Sequence, residues 1–329
     1  MTHWKIAGML VLALVSAGAV AQQTITTPEG ARMSSASDLA YKPGQLSRAQ
    51  LMSPARSLFV RSAANVFRRF PREKTAEMVK FYTQALGLRS LSPIQLTATQ
   101  QMVLTGVGSG QIKLSAGQGG NRKYNLAGGY KAGTGIRYFR LTYPDARTVR
   151  DRFVAAGFPA PRFTAQSGGT SSALVADPGG FQIELVIGPG AKDGSNDGVG
   201  VGINASNLAK SRAFYREFAG LDELPPVRDK LLGLTLYPYR HKETTLYLYH
   251  TGGKTADNGS AGIQYVISDA PLVDAKAKAR GGIAVETPLN RLAGFDLVTV
   301  WLNDPDGVTN YFAQVNRSVQ PAGNRAAGN

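Results

Sequence analysis

The chain has 329 residues, 43% of them hydrophobic, which suits one large domain or two of ordinary size and excludes a disordered protein. It carries 37 Lys and Arg against 22 Asp and Glu, a formal charge of +15, and no cysteine. Disulfides, thiolate metal sites and cysteine nucleophiles are excluded, and the charge favours solubility and anionic partners.

Residues 1–21 read as an export leader: Lys5, the apolar run IAGMLVLALV, then Ala19 and Ala21 at the small positions of an A-x-A site. Cleavage after Ala21 is expected, giving a periplasmic or secreted protein with a charge of +14 once Lys5 is gone. The run is too short to span a bilayer comfortably, and no later stretch is apolar for long enough to form a membrane helix. Residues 22–57 lack sustained periodicity and are expected to be a strap or disordered.

From residue 58 the elements become regular. RSAANVFRR reads as a strand. TAEMVKFYTQAL reads as a helix with Val79, Tyr82 and Leu86 on one face, and TQQMVLTG and GQIKLSA follow as strands. The glycine-rich stretch 115–135 is long for a loop and is expected to be a flap or disordered. GIRYFRLTY, ARTVRDRFVAAG and DPGGFQIELV then give strand, helix, and a tight turn entering a strand. In that last strand Ile183 and Leu185 flank Glu184, and alternation alone allows Glu184 to face water. Residues 188–198 are polar and glycine-rich, a domain boundary. VGVGINA, a helix capped by Asn207 or Ser206, TLYPYR and TTLYLYH form the next group, with Leu246 and Leu248 alternating with Tyr247 and Tyr249. GIQYVI and PLVDAKAKARG open the last group, and residues 317–329 read as a disordered tail.

The chain repeats itself. FYTQALGL (81–88) returns as FYREFAGL (214–221), and DPGG (177–180) returns as DPDG (304–307), in the same order. The unit is β-α-β-β-β, used four times.

Four such modules, the FY-x4-GL helix ends and the DP-x-G turn before IEL together resemble the vicinal oxygen chelate superfamily of glyoxalase I, bleomycin-resistance proteins and extradiol dioxygenases. The resemblance implies an α+β fold in which modules pair into two cup-shaped domains. Residues 58–187 would form the first domain from modules one and two, and residues 199–316 the second from modules three and four. In this family metal ligands, when present, project into a cup from the first and last strands of a module. The corresponding places are Phe67 or Asn65, Lys113, Tyr138 and Glu184 in the first half. In the second half they are Gly200, Tyr247 or Tyr249, Gly262 and Tyr311. That set holds one conventional ligand, Glu184, where a divalent ion wants three or four. His241 and His250 read as a surface turn and a strand end, with no carboxylate placed beside them. No cofactor is therefore expected, the alternative being a divalent metal held by Glu184 and non-standard ligands.

Lys113 stands where the family often has a second glutamate, and is expected to pair with Glu184 across the first cup, in place of a metal. The expected ligand-binding residues are Lys113, Tyr138, Glu184, Tyr247, Tyr249 and Tyr311, with Glu184 as the candidate catalytic carboxylate. The leading expectation is metal-independent binding of a small anionic or aromatic molecule. The alternatives are a glyoxalase-type lyase or isomerase using Glu184, and a structural or interaction protein whose cups are filled by side chains. The basic cluster Arg68, Arg69, Arg72 and Lys74 lies in no nucleic-acid recognition motif, so no nucleic-acid partner is expected. Nor is a membrane partner expected after leader cleavage. Four modules can satisfy their own pairings, which permits a monomer.

Overall fold

The computed structural model describes residues 23–97, 100–191, 198–292 and 295–315. The expected leader, residues 192–197 of the boundary segment, and the tail lie outside the described residues.

The two repeated motifs prove to be two halves of one contact. In both halves the helix widens to a π turn, Phe81–Ala85 and Ala213–Ala219. Such a helix ends where Gly87 or Gly220 takes a positive φ (66° and 86°) that a side chain would strain. The tyrosine of each FY pair then donates to the aspartate of the following DP-x-G turn, Tyr82 to Asp177 at 3.1 Å and Tyr215 to Asp304 at 2.9 Å. The other oxygen of each aspartate accepts two backbone N–H groups of its own turn, from Gly179 and Phe181 or from Asp306 and Val308. Buried backbone and phenol donors are thereby satisfied together, which explains why helix and turn recur as a set. The helix of module one is thus bound to the turn of module two, and the helix of module three to the turn of module four. Phe81 against Phe153 and Phe218 against Phe312 complete those contacts.

The sheets are assembled otherwise. The first runs Thr24–Thr26, Arg32–Ser35, Ala284–Arg291, Leu297–Asn303, Thr309–Val315, Ala261–Ile267, Asn65–Phe70, Gly110–Ala116, Gln100–Val107 and Arg89–Thr97. The second runs Asp222–Glu223, Leu234–His241, Thr244–Tyr249, Gly200–Asn204, Gly133–Tyr143, Gln182–Ile187, Ser171–Ala176 and Thr164–Ala165, with Val227–Asp229 and Thr255–Asp257 paired at its margins. Module one therefore shares a sheet with module four, through Asn65–Phe70 antiparallel to Ala261–Ile267, and module two with module three, through Gly133–Tyr143 antiparallel to Gly200–Asn204. This corrects the expectation that modules one and two form one cup and three and four the other. The four modules and the two cups are present, but each cup takes one module from each half. The physical reason is the glycine-rich segment after Ala116. It carries the chain from one sheet to the other, while Gly200–Asn204 joins the same sheet as Gln182–Ile187, on the far edge of Gly133–Tyr143.

Residues 23–57 form a strap along the first sheet. Thr24–Thr26 pairs with Arg32–Ser35, which adds to the edge at Asn290 and Arg291. A short helix, Arg48–Met52, is held by the reciprocal cap of Ser47 and Gln50. Lys276 and Arg280 of the helix Ala270–Arg280 donate to the carbonyls that end it. The segment 115–135 is likewise placed: Arg122 is buried, and a turn of helix forms at Gly129–Ala132. The main apolar core lies between the sheets and the helices, and each concave face carries its own smaller cluster. No helix among the described residues is long and apolar enough to cross a membrane.

Candidate functional site

Period-two alternation sends Asn65, Phe67 and Arg69 to the concave face of the first sheet while Val66, Arg68 and Phe70 turn away. The adjacent arginines therefore serve different places. Arg68 points to the back and makes a bidentate pair with Asp177, at 2.7 and 3.0 Å. Arg69 enters the cup, where its guanidinium donates to Glu29 of the strap at 2.6 Å and to Tyr311. Arg122, from the segment between modules one and two, reaches the same Glu29 at 2.7 Å and Glu286 at 3.0 Å. Burial alone would raise the Glu29 pKa, but Arg69 and Arg122 more than reverse this and hold it below the usual carboxylate range.

Beside this network the first cup encloses a cavity of about 740 Å³. Its aromatic wall is Phe67, Trp301 and Tyr311, with both Phe67 and Trp301 4.7 Å from the Tyr311 ring. Lys113 projects into it from Gly110–Ala116, opposite Phe67 in the ladder. The ammonium donates to Gln264 Oε1 at 2.7 Å and lies 5.3 Å from the Phe67 centroid. Asn65 donates to the same Gln264 oxygen at 2.9 Å. No carboxylate among the described residues pairs with Lys113, and burial alone lowers its pKa to about 8. Arg32, Arg61 and Arg89 also line the cavity without an ion pair among the described residues. Glu29, already paired, and Asp296 are the acidic groups of the wall.

The second cup is filled. Tyr138, Tyr249, Leu232 and Leu236 are buried as one cluster, with Tyr130, Leu174, Leu234 and Tyr247 packed on it. The insertion 222–233 supplies Leu232 and Asp229. The inter-module segment supplies Tyr130, whose hydroxyl donates to the Leu232 carbonyl and whose own carbonyl accepts from Tyr249. Gly202 leaves room for the Tyr138 ring, since a Cβ there would lie 2.0 Å from it. Glu184 is fully buried against this cluster, so the water-facing reading is overturned. Neither of its oxygens completes a hydrogen bond, nor does the Tyr138 hydroxyl. Arg140 Nε stands 3.6 Å from Glu184 and its Nη1 3.8 Å from Asp229. Burial raises the Glu184 pKa to about 8. Arg140 opposes that shift and Asp229 adds to it.

Residues 69–185 match the model of the Glyoxalase/Bleomycin resistance protein/Dioxygenase superfamily. The match covers 117 of the 329 residues and makes that part of the chain similar to the superfamily. Among solved structures, glyoxalase I from Zea mays is 18% identical with a TM-score of 0.59, covering 77% of this chain and 92% of its own. A point mutant of the same maize protein gives 19% and 0.60 over the same shares. A putative dioxygenase from Bacillus subtilis is 13% identical with a TM-score of 0.53, covering 80% of this chain and 86% of its own. At these identities the likeness shows the fold alone. No curated protein matches the sequence.

The superfamily's metal places fail a donor test in this chain. In the first cup they read Phe67 or Asn65, Lys113, Gly262 and Tyr311; in the second, Tyr138, Glu184, Gly200 and Tyr247 or Tyr249. One carboxylate, accompanied by a cation, is not a set for a divalent ion, and the described residues hold no cluster of three His, Asp or Glu. His241 and His250 are each taken by a backbone carbonyl, of Arg61 and of Ala205. His241 is buried rather than on a surface turn.

The strand faces read from sequence bring Lys113 together with Tyr311, and Glu184 together with Tyr138, Tyr247 and Tyr249. They do not bring Lys113 to Glu184. The expected pair is corrected because its members stand in different sheets: Lys113 takes Gln264 and Glu184 takes Arg140. Arg140 carried a legible signal, a cation at period two from Tyr138. Glu29 and Arg122 carried none, since they arrive from segments without periodicity.

Proposed function

We propose that this protein binds a small anionic, aromatic molecule in the first cup without a metal. The observation that carries this reading is the cavity of about 740 Å³ walled by Phe67, Trp301 and Tyr311, with Lys113, Arg61 and Arg89 lining it without an ion pair among the described residues. That volume is of the size that small-ligand sites have, and aromatic faces with convergent polar groups are what such sites use. A recessed ammonium lacking a carboxylate gains most from a ligand that brings one. The strongly basic chain supports the same sign of partner. The expected leader makes the site an exported one in this reading. The Glu184 lyase reading receives no support from the geometry, because that carboxyl is packed among side chains in the other cup.

Calorimetric titration of the mature chain with benzoate, 4-(hydroxymethyl)benzoate and benzylamine tests the proposal. Saturable binding of the carboxylates and none of the amine is expected. Equal binding of all three, or of none, would overturn it.

A further inference from the structure

We propose that Lys113 captures an aromatic aldehyde bearing a carboxylate, as a Schiff base in the first cup. This rests on the reading of that cup as an anion-binding site and names the reactive class it takes. Three features converge on the amine. It lies inside a cavity large enough for a ring with two substituents. Its hydrogen-bond partner is the neutral amide oxygen of Gln264, and no carboxylate among the described residues holds it as an ammonium. Its position over Phe67 sets an aromatic platform beside the nitrogen, while Arg69 lies 5.7 Å from the same ring centroid. An aldehyde whose ring lies along that wall presents its carbonyl carbon to Nζ, leaving its carboxylate to Arg61 and Arg89, which line the same cavity.

Burial sets the protonation the step needs. With its pKa lowered to about 8, the side chain is neutral on the order of one time in four near pH 7.5, against about one in a thousand for an ordinary lysine. The lone pair of neutral Nζ attacks the carbonyl carbon. A C–N bond forms, the carbonyl π pair moves to oxygen, and transfer of a nitrogen proton gives a carbinolamine. A proton from hydronium or a buffer acid reaches its hydroxyl, the C–O bond breaks to release water, and the nitrogen lone pair forms the C=N bond of the iminium. Nothing is oxidised or reduced, and hydrolysis reverses the sequence.

The test uses the mature full chain with 4-formylbenzoate and sodium cyanoborohydride near neutral pH, where hydride addition to the iminium carbon fixes a secondary amine. Peptide mass mapping is expected to find the adduct on Lys113 at roughly tenfold or more the level on any other lysine. Excess 4-(hydroxymethyl)benzoate, which has the shape but no carbonyl, should block it. Lys113→Arg, or Lys113→Met if the arginine does not fold, should lose the adduct, and Glu184→Gln in the other cup should keep both the adduct and its block by the analogue. Labelling of Lys113 no greater than that of surface lysines, with the analogue still bound, overturns the Schiff base and leaves the binding site standing. Failure of the analogue to bind overturns both.

Discussion

The two cups are built from the same module and have opposite fates. Each buries an ionisable group on the last strand of a module, Lys113 in one and Glu184 in the other, and each group is pushed toward the same pKa of about 8. In the second cup the fold supplies the answer: Arg140 stands at the carboxyl and the insertion 222–233 closes over it with Leu232 and Asp229. In the first cup the strap and Arg122 settle their charges among themselves, around Glu29, and leave Lys113 facing open space. A group buried at a cost and answered within the chain is architecture. One buried at a similar cost and left unanswered is the better candidate for a site.

The largest break in this comparison comes from volume. Gly202→Val forces a side chain into the Tyr138 ring and should cost about 3 kcal/mol or more. Gly262→Ala meets the Tyr311 ring at 2.9 Å on the wall of the open cup, and about 1 kcal/mol is expected. Urea unfolding of the two variants separates a filled cup from an open one. Next is charge: Glu29→Gln leaves Arg69 without its only carboxylate among the described residues and should cost about 2–3 kcal/mol at pH 7. Because the folded pKa of Glu29 is depressed, the stability it gives is present above the unfolded carboxylate pKa and is lost as pH falls through the folded one. The difference between wild type and variant should therefore shrink in acid.

The ionisable pair sharpens the comparison further. Glu184 has a raised folded pKa, so its burial cost grows as pH rises from the unfolded value toward about 8 and is complete above that. Glu184→Gln should be more stable than wild type by about 2 kcal/mol at pH 9, with the gain fading toward pH 4. Lys113 has the opposite sign. Its folded pKa is lowered, so its cost is complete below about 8 and is relieved as pH rises through the unfolded lysine value. Lys113→Met should gain about 1 kcal/mol at pH 7 and nothing near pH 11. Thermal melts across pH check both curves, and a Lys113→Met variant less stable at pH 7 would mark Lys113 as architecture after all.

Much of this was legible in the residues. The repeats FY-x4-GL and DP-x-G mark the ends of one buried contact, so their recurrence carried the module count. Asn207 does cap its helix, its side chain accepting from the Lys210 N–H at 3.1 Å. The family resemblance, joined to period-two alternation, implied concave faces for Lys113, Glu184, Tyr138 and Tyr311. It failed to say whose concave face, because every first strand has two edges and local pattern does not choose between neighbours far apart in sequence. In TLYPYR, Leu236 turns into the second cup while Tyr239 joins the main core. Glu29 was invisible, since its role depends on partners 40 and 93 residues away.

Trp301 makes the most direct measurement available. It lines the cavity, and the other tryptophan of the sequence, Trp4, lies in the expected leader. Its emission should be followed during titration with 4-(hydroxymethyl)benzoate in the wild type, Lys113→Met and Glu184→Gln. The two-cup account predicts a saturable change in wild type and Glu184→Gln that is lost in Lys113→Met. No saturable change in wild type, or a change lost in Glu184→Gln and kept in Lys113→Met, would contradict it.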